Sequence, residues 1–439
     1  MNRVEVDRAV FFGVLSKVWS IVAGPVTLIL IATKFSPELQ GYYYTFGSIL
    51  ALQVFVELGL GSIIIQFASH EWAKLSIGEA RQITGDSDAL SRLTSLAKII
   101  TKWYFFGSIF LIFGLGIGGF IFFSSQSTVS FNWQNPWMIL CLIAGLNLML
   151  VPIWSLLEGC NMVTDIYTYR FISGISSSFS CWIAIYLDAK LWTAVIVSLV
   201  SLLYGILFLF FRFKTFLKNL FFTTPTGARI KWQQEILPLQ WRIALSWLSG
   251  YFVFNFFTPV LFKYHGPVTA GQMGMTWGLV AALSSIASSW LNPKAPRFGI
   301  LIAQGDYKKL DILFWRLTKV VVIIAIIGAS VIWSLVFILH SLHHPFAIRV
   351  LSPLPTSLFL LATIISISTL SFSLYLRAHK KEPLLAVSVI SGLLIAISNL
   401  ILGKHFGATG MAWGYLLVNV LIFPFVILIW SHCRRHWHS

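Results

Sequence analysis

Lys17 and Glu57 are the two ionisable side chains set clearly inside long apolar runs of this 439-residue chain. A charge in hydrocarbon costs about 2.5 to 3.5 kcal/mol on insertion scales, so each is a candidate for pairing, ligand binding or proton transfer. Lys17 lies eight residues into the first run and Glu57 about ten residues before the end of the second. At a 1.5 Å rise these are about 12 and 15 Å from the same side of two antiparallel helices. At that depth they could pair with each other, or Lys17 could meet an anionic ligand while Glu57 tunes it or carries a coupling proton. Asn147, Asn255, Asn399 and Asn419 are amides at membrane depth, suited to interhelical hydrogen bonds or, where they face a cavity, to ligand hydroxyls. Arg170 opens the fifth run, where it could anchor topology or guide an anionic headgroup, and Lys263 is placed to snorkel to the opposite surface.

Other chemistry is excluded by what the residues do not form. Cys141, Cys160, Cys181 and Cys433 follow no metal spacing and read as packing residues. The histidines 340, 343, 344, 432, 436 and 438 gather in a loop and a tail, and no H-E-x-x-H or phosphate-cradling Gly-Lys-Ser/Thr loop occurs. No catalytic group, cofactor or metal is expected, and direct drive by ATP would need a separate subunit.

The elements that must position these residues are helices in lipid. With 57% apolar and only 10% charged residues, the chain departs far from a soluble domain. Runs of roughly 20 apolar residues fall at 9–33, 42–67, 103–123, 136–157, 171–187, 191–211, 243–262, 271–290, 320–340, 357–376, 384–402 and 411–430. With the N-terminus inside, the inner segments hold 25 Lys and Arg and the outer loops 5. That bias predicts both termini in the cytoplasm and accounts for the net charge of +16 through anionic lipid, without nucleic acid. Tyr42 to Tyr44, Trp103, Trp133, Trp137 and Trp430 sit at run edges, as interfacial aromatics do.

The halves repeat. Gly85-Asp86 with Leu90 and Leu93 matches Gly305-Asp306 with Leu310 and Leu313 at an offset of 220, and Pro37 and Gly41 match Pro267 and Gly271 at 230. The expected fold is all-α and polytopic: about 12 spanning helices in two six-helix lobes related by pseudo-two-fold symmetry, residues 1–225 and 226–439, dividing within 223–227. Parallel repeats of this kind place substrate between their halves near the midplane.

The stretch from Leu52 through Glu57-Leu58-Gly59-Leu60-Gly61 to Ala68, with Ala295-Pro296-Arg297 running into Gly305-Asp306-Tyr307-Lys308-Lys309-Leu310, resembles the bacterial polysaccharide flippases. These are the O-antigen and related exporters of the multidrug/oligosaccharidyl-lipid/polysaccharide superfamily. The resemblance covers the whole chain and implies two lobes that open alternately to either side of the inner membrane. It implies as cargo an undecaprenyl-pyrophosphate-linked oligosaccharide for lipopolysaccharide or another surface polysaccharide. Coupling to H+ or Na+ and association with a polysaccharide polymerase and a chain-length regulator belong to the same expectation. Likeness to the lipid II flippases, whose cations near the first and eighth helices face the cavity, adds Lys294 and Arg297 to Lys17. The expected substrate contacts are thus Lys17, Glu57, Arg170, Lys294, Arg297, Asn147 and Asn255. A multidrug extruder of the same superfamily is the closest alternative, and it would favour acidic cavity residues for a cationic cargo. A membrane polymerase or ligase is the rival from another class, disfavoured by outer loops of only about 7 to 17 residues.

Overall fold

A computed structural model of the chain describes residues 3–78, 82–125, 131–222, 227–291, 294–379 and 381–438, with the backbone alone for 3–7. The expected lobe divide at 225/226 lies outside the described residues. The chain forms two compact units: residues 1–35 with 49–248, and 36–48 with 249–439.

The first unit opens with α1 (Arg3–Lys34). Its neighbour along the chain is interrupted: α2 (Pro37–Leu50) passes through a 3-10 turn at Ala51–Gln53 into α3 (Val54–Glu57), and α4 (Leu60–Trp72) follows. A short antiparallel hairpin, β1 (Leu75–Ile77) and β2 (Ile83–Gly85), then leads into α5 (Ser87–Ser124), α6 (Gln134–Gly159), α7 (Val163–Tyr186) and α8 (Trp192–Phe222). α9 (Leu237–Phe254) crosses from the first unit into the second. The second unit continues with α10 (Phe257–Ser288), the short α11 (Ala295–Ala303), α12 (Tyr307–Ser341), α13 (Pro353–Ala378) and α14 (Leu385–His438).

Helix dominates because a backbone in lipid must satisfy its own hydrogen bonds. Among the described residues eight helices are long and apolar enough to span, or nine if α2 to α4, bent by 43°, count as one. The twelve apolar runs fall on helix almost throughout, yet the structure does not number them as twelve crossings, for three physical reasons. α14 would be about 80 Å long as one rod, more than twice a hydrocarbon core, and is broken at Gly407 (φ 60°, ψ −144°). α9 and α10, with the helical turn at Trp232–Ile236 before them, form one 57-residue stretch interrupted at Asn255 and Phe256 and again at Gly266 (φ 83°). α7 is kept less apolar by Ser173, Ser176, Ser177, Ser178 and Ser180.

Both Gly-Asp pairs do one job. Gly85 and Gly305 take positive φ, and the carboxylate that follows accepts from the third residue of the next helix: Asp86 from Ala89 N–H at 2.7 Å, Asp306 from Lys309 N–H at 3.1 Å. This is N-capping, worth about 1 kcal/mol per helix, and it explains why the pair recurs 220 residues apart. Lys309, through its ammonium and N–H, holds the Asp306 carboxyl below the usual range. Pro37 and Gly41, which belong with 36–48 to the second unit, meet their own counterparts there. A Cβ on Gly41 would lie 1.9 Å from the Pro267 carbonyl oxygen, and one on Gly271 would lie 3.2 Å from that of Pro37.

At the first turns of α5 the segment leading into α9 is strapped down. Arg92 donates to Glu71 at 2.7 Å and to Glu235 at 2.6 Å, and Ser91 and Ser95 accept from the N–H groups of Gly227 and Ile230. Burial works to raise the Glu235 carboxyl, but hydrogen bonds from Arg92 and the Lys231 N–H outweigh it and hold the group below the usual carboxylate range. In the second unit the end of α14 is tied in a similar way. Asp311 accepts from Arg434 and, at 2.7 Å, from the Tyr375 hydroxyl, while His379 and His438 share a 3.2 Å hydrogen bond and His438 stacks on Tyr307.

Candidate functional site

The second apolar run, 42–67, is not one continuous helix. Leu58 (φ 46°) and Gly59 (φ 70°) both take left-handed conformations directly after Glu57. For leucine that conformation costs of order 1 kcal/mol or more. A Cβ on Gly59 would meet Ile243 at 2.3 Å, so the position also requires close approach. The break frees backbone carbonyls, and the Trp103 indole N–H caps that of Val56 at 3.0 Å. Glu57 therefore sits, half-buried, at the end of a half-helix and not along a smooth face.

Lys17 is elsewhere. α1 packs on α7 through Phe12 against Phe171, Trp19 against Phe179 and Trp182, and a 2.9 Å bond from the Trp182 indole to Thr27. Lys17 lies off that stripe and is exposed. The pairing with Glu57, one of the two readings the sequence offers, does not form among the described residues: α1 is committed to α7, while the short α3 that ends at Glu57 packs on α5.

Arg170 and Asn147, two residues of different runs, are brought together. With Gln53, Trp154, Tyr169, Ser173, Ser177 and Ser201 they line a cavity of about 410 Å³ between α6, α7 and α8, wholly inside the first unit. The spacing explains the convergence: 169, 170, 173, 174 and 177 lie on one face of α7, and 147, 148, 151 and 154 on one face of α6. Tyr169 is held between Trp154 (centroids 4.1 Å apart) and Tyr204 (5.5 Å), and its hydroxyl shares hydrogen bonds with Ser173 and Ser201. Asn147 spends its Nδ2 on the carbonyls of Ile143 and Ser198, which leaves its Oδ1 as an acceptor. Arg170 donates through Nη2 to Glu158 at 2.6 Å. It is the one Lys, Arg, Asp or Glu among the lining residues. Asp165, the nearby acid at the start of α7, is engaged by Arg212 at 3.1 Å.

The other expected contacts lie in the second unit. Lys294 and Arg297 are exposed at the start of α11, where Phe298 and Leu301 are buried. Asn255 is at the interruption between α9 and α10, with its N–H on the Tyr251 carbonyl at 2.9 Å. A second cavity, of about 620 Å³, lies between α12 and α13 and is lined by Ile326, Ala329, Trp333, Leu360, Leu361, Ile364 and three serines. No group of three metal-ligating side chains occurs among the described residues. Sequence reasoning missed Glu158, Trp154, Tyr169 and the serine face. The signal was present as Ser173 and Ser177, one and two turns beyond Tyr169 in an otherwise apolar run.

No family model and no curated protein matches the chain by sequence. Solved structures do match in fold. An inward-facing multidrug resistance MATE family transporter of the MOP superfamily superposes with a TM-score of 0.61 at 12% identity, over 94% of this chain and 96% of that one. The lipid II flippase MurJ, in an inward closed conformation, gives 0.63 at 14% over 95% and 87%. The MATE multidrug transporter DinF-BH gives 0.60 at 12% over 98% and 96%. The chain thus has the helical fold shared by MOP-superfamily transporters and flippases, and it is a multi-pass membrane protein.

Proposed function

We propose that the chain is a flippase for an undecaprenyl-pyrophosphate-linked oligosaccharide, the repeat unit of O-antigen or another surface polysaccharide, in the bacterial inner membrane. Two six-helix lobes, 1–225 and 226–439, would alternate in access, with both termini cytoplasmic as the cation bias indicates. One observation carries the choice of cargo: the first unit's cavity is lined by amides, hydroxyls and stacked aromatics, and its single ionised lining group is the cation Arg170. Sugar hydroxyls and an anionic headgroup are served by such a lining, while the one acid at its edge, Glu158, is already engaged by Arg170 rather than left for a cationic drug. We assign as substrate contacts Lys17, Glu57, Arg170 and Asn147 of the first unit and Lys294, Arg297 and Asn255 of the second. Coupling to H+ or Na+ and a polymerase and chain-length regulator as partners complete the reading.

The rival reading, extrusion of cationic drugs, is favoured by the Glu57 carboxylate at the helix break. Purified protein in liposomes separates the two. Inward-to-outward movement of a fluorescent lipid-linked oligosaccharide, followed by a membrane-impermeant quencher, should need the protein, while ethidium or rhodamine efflux should not respond to it. Drug efflux without lipid translocation would replace the flippase reading by the extruder.

A further inference from the structure

Arg170 is paired, yet only in part. Its Nη2 is held by Glu158, while Nε and Nη1 have no hydrogen bond among the described residues and the guanidinium borders the cavity. The cation also lies over the Tyr167 ring, 5.4 Å from its centroid, a contact that uses none of its donors. A guanidinium carries five N–H donors in a planar fork and can serve two carboxylates, one on each edge. Glu158 is mostly covered, at 18% side-chain exposure, and among the described residues its carboxylate has no partner besides Arg170. The one cation that borders the cavity is thus already met by an acid just outside its lining.

We propose, on the reading that this cavity contacts the cargo, that it seats a sugar residue bearing an anionic group, and that Glu158 is a resident counter-ion competing for Arg170. The sugar's anion takes the free edge of Arg170, its hydroxyls meet Asn147 Oδ1 and the serines of α7, and Trp154 with Tyr169 supplies ring surface. Asp165 does not interfere, since both its oxygens are turned to Arg212. Because Glu158 shares Arg170 with the incoming anion and repels it, removing the Glu158 charge strengthens binding of an acidic sugar. A purely structural salt bridge gives the opposite sign: loss of either partner then loosens the site and weakens every ligand.

The test uses the full-length protein in detergent and measures binding of four probes: a glucuronate-terminated disaccharide, its neutral glucose counterpart, pyrophosphate and tetraphenylphosphonium. The acidic disaccharide should bind about tenfold more tightly than the neutral one, as expected for a gained charge-assisted contact. Arg170→Gln should abolish that difference, Arg170→Lys should keep part of it, and Glu158→Gln should tighten the acidic probe several-fold while leaving the neutral one unchanged. The double variant Arg170→Gln with Glu158→Gln controls for an orphaned acid, and thermal stability of each variant controls for folding. Equal binding of the two disaccharides, weakening of the acidic probe by Glu158→Gln, pyrophosphate binding as tightly as the acidic sugar, or no binding of either sugar would each overturn the proposal. If the neutral disaccharide binds equally well, the flippase reading stands without this inference. If tetraphenylphosphonium alone binds, both fall.

Discussion

The two cavities differ in kind although both lie between packed helices of similar composition. The one between α12 and α13 is the larger, and it contains serines as the other does. Its Ser330 hydroxyl, however, is spent on the Ile326 carbonyl at 2.9 Å and that of Ser357 on Leu354 at 2.7 Å, so two of its three serines offer a neighbour little but apolar surface. In the first unit the polar groups are spent only in part: Asn147 keeps an acceptor and Arg170 keeps two nitrogens. A lining's chemistry is set by the donors and acceptors left over after local bonding, and residue type alone would have ranked the two cavities closer together.

The sharpest break of this contrast concerns how each cavity's walls are fixed. A Cβ on Gly159, at the end of α6, would lie 2.6 Å from the Ala68 Cβ and 2.8 Å from the Ile65 carbonyl oxygen, and backbone cannot yield. Gly159→Ala should cost about 2 kcal/mol of stability, the overpacking exceeding the helix-propensity gain of up to about 1 kcal/mol. On α12 a Cβ at Gly328 meets only the Leu283 Cδ1 at 2.4 Å, a side-chain end that can turn away. Gly328→Ala should stay within about 0.5 kcal/mol of the unsubstituted protein. Thermal unfolding of both variants in one detergent checks the pair, and equal losses would remove the contrast.

A smaller effect is expected from the aromatic rings. Trp154→Ala should weaken oligosaccharide binding about five- to tenfold, as loss of a stacking surface worth about 1 kcal/mol predicts, whereas Trp333→Ala on the groove should change it less than twofold. Titration calorimetry with one glycan reads both.

The smallest effect should come from acid, and only in the second unit. Burial pushes the His379 imidazole down, against a hydrogen bond to the Tyr375 carbonyl, and burial with the neighbouring His379 does the same to His438. Lys381, Arg434 and Asp311 are the charges that face them. A histidine whose folded-state value is depressed lends stability that is full above the unfolded value, about 6.5, and lost as pH falls below it. Hydrogen exchange at 430–438 should therefore quicken between about pH 6.5 and 5, with the α6 to α8 cavity unaffected. Exchange at 430–438 that is flat with pH would exclude the linkage.

Much of this is legible in the sequence, for identifiable reasons. Apolar length finds helices because lipid demands them, and the Gly-Asp repeat finds helix starts because a positive φ and an N-cap require those two residues. Arg170 and Asn147 stand out as polar groups in apolar runs, and the fold joins them. What escapes depends on where helices turn and pack. Nothing local marks Leu58 as left-handed, so the sequence puts Glu57 on a continuous helix, and the α1 to α7 packing that separates it from Lys17 is a long-range choice. The pairing of Arg170 with Glu158 spans two helices and their connection.

The crossing of Gly41 with Pro267, and of Gly271 with Pro37, lies wholly inside the second unit although Pro37 and Gly41 come from near the start of the chain. A side chain added at either glycine meets main chain, which cannot turn aside as a side-chain end can. Each position therefore limits what the other can become, and a larger residue at Gly41 or Gly271 would have to be absorbed by moving one whole segment against the other.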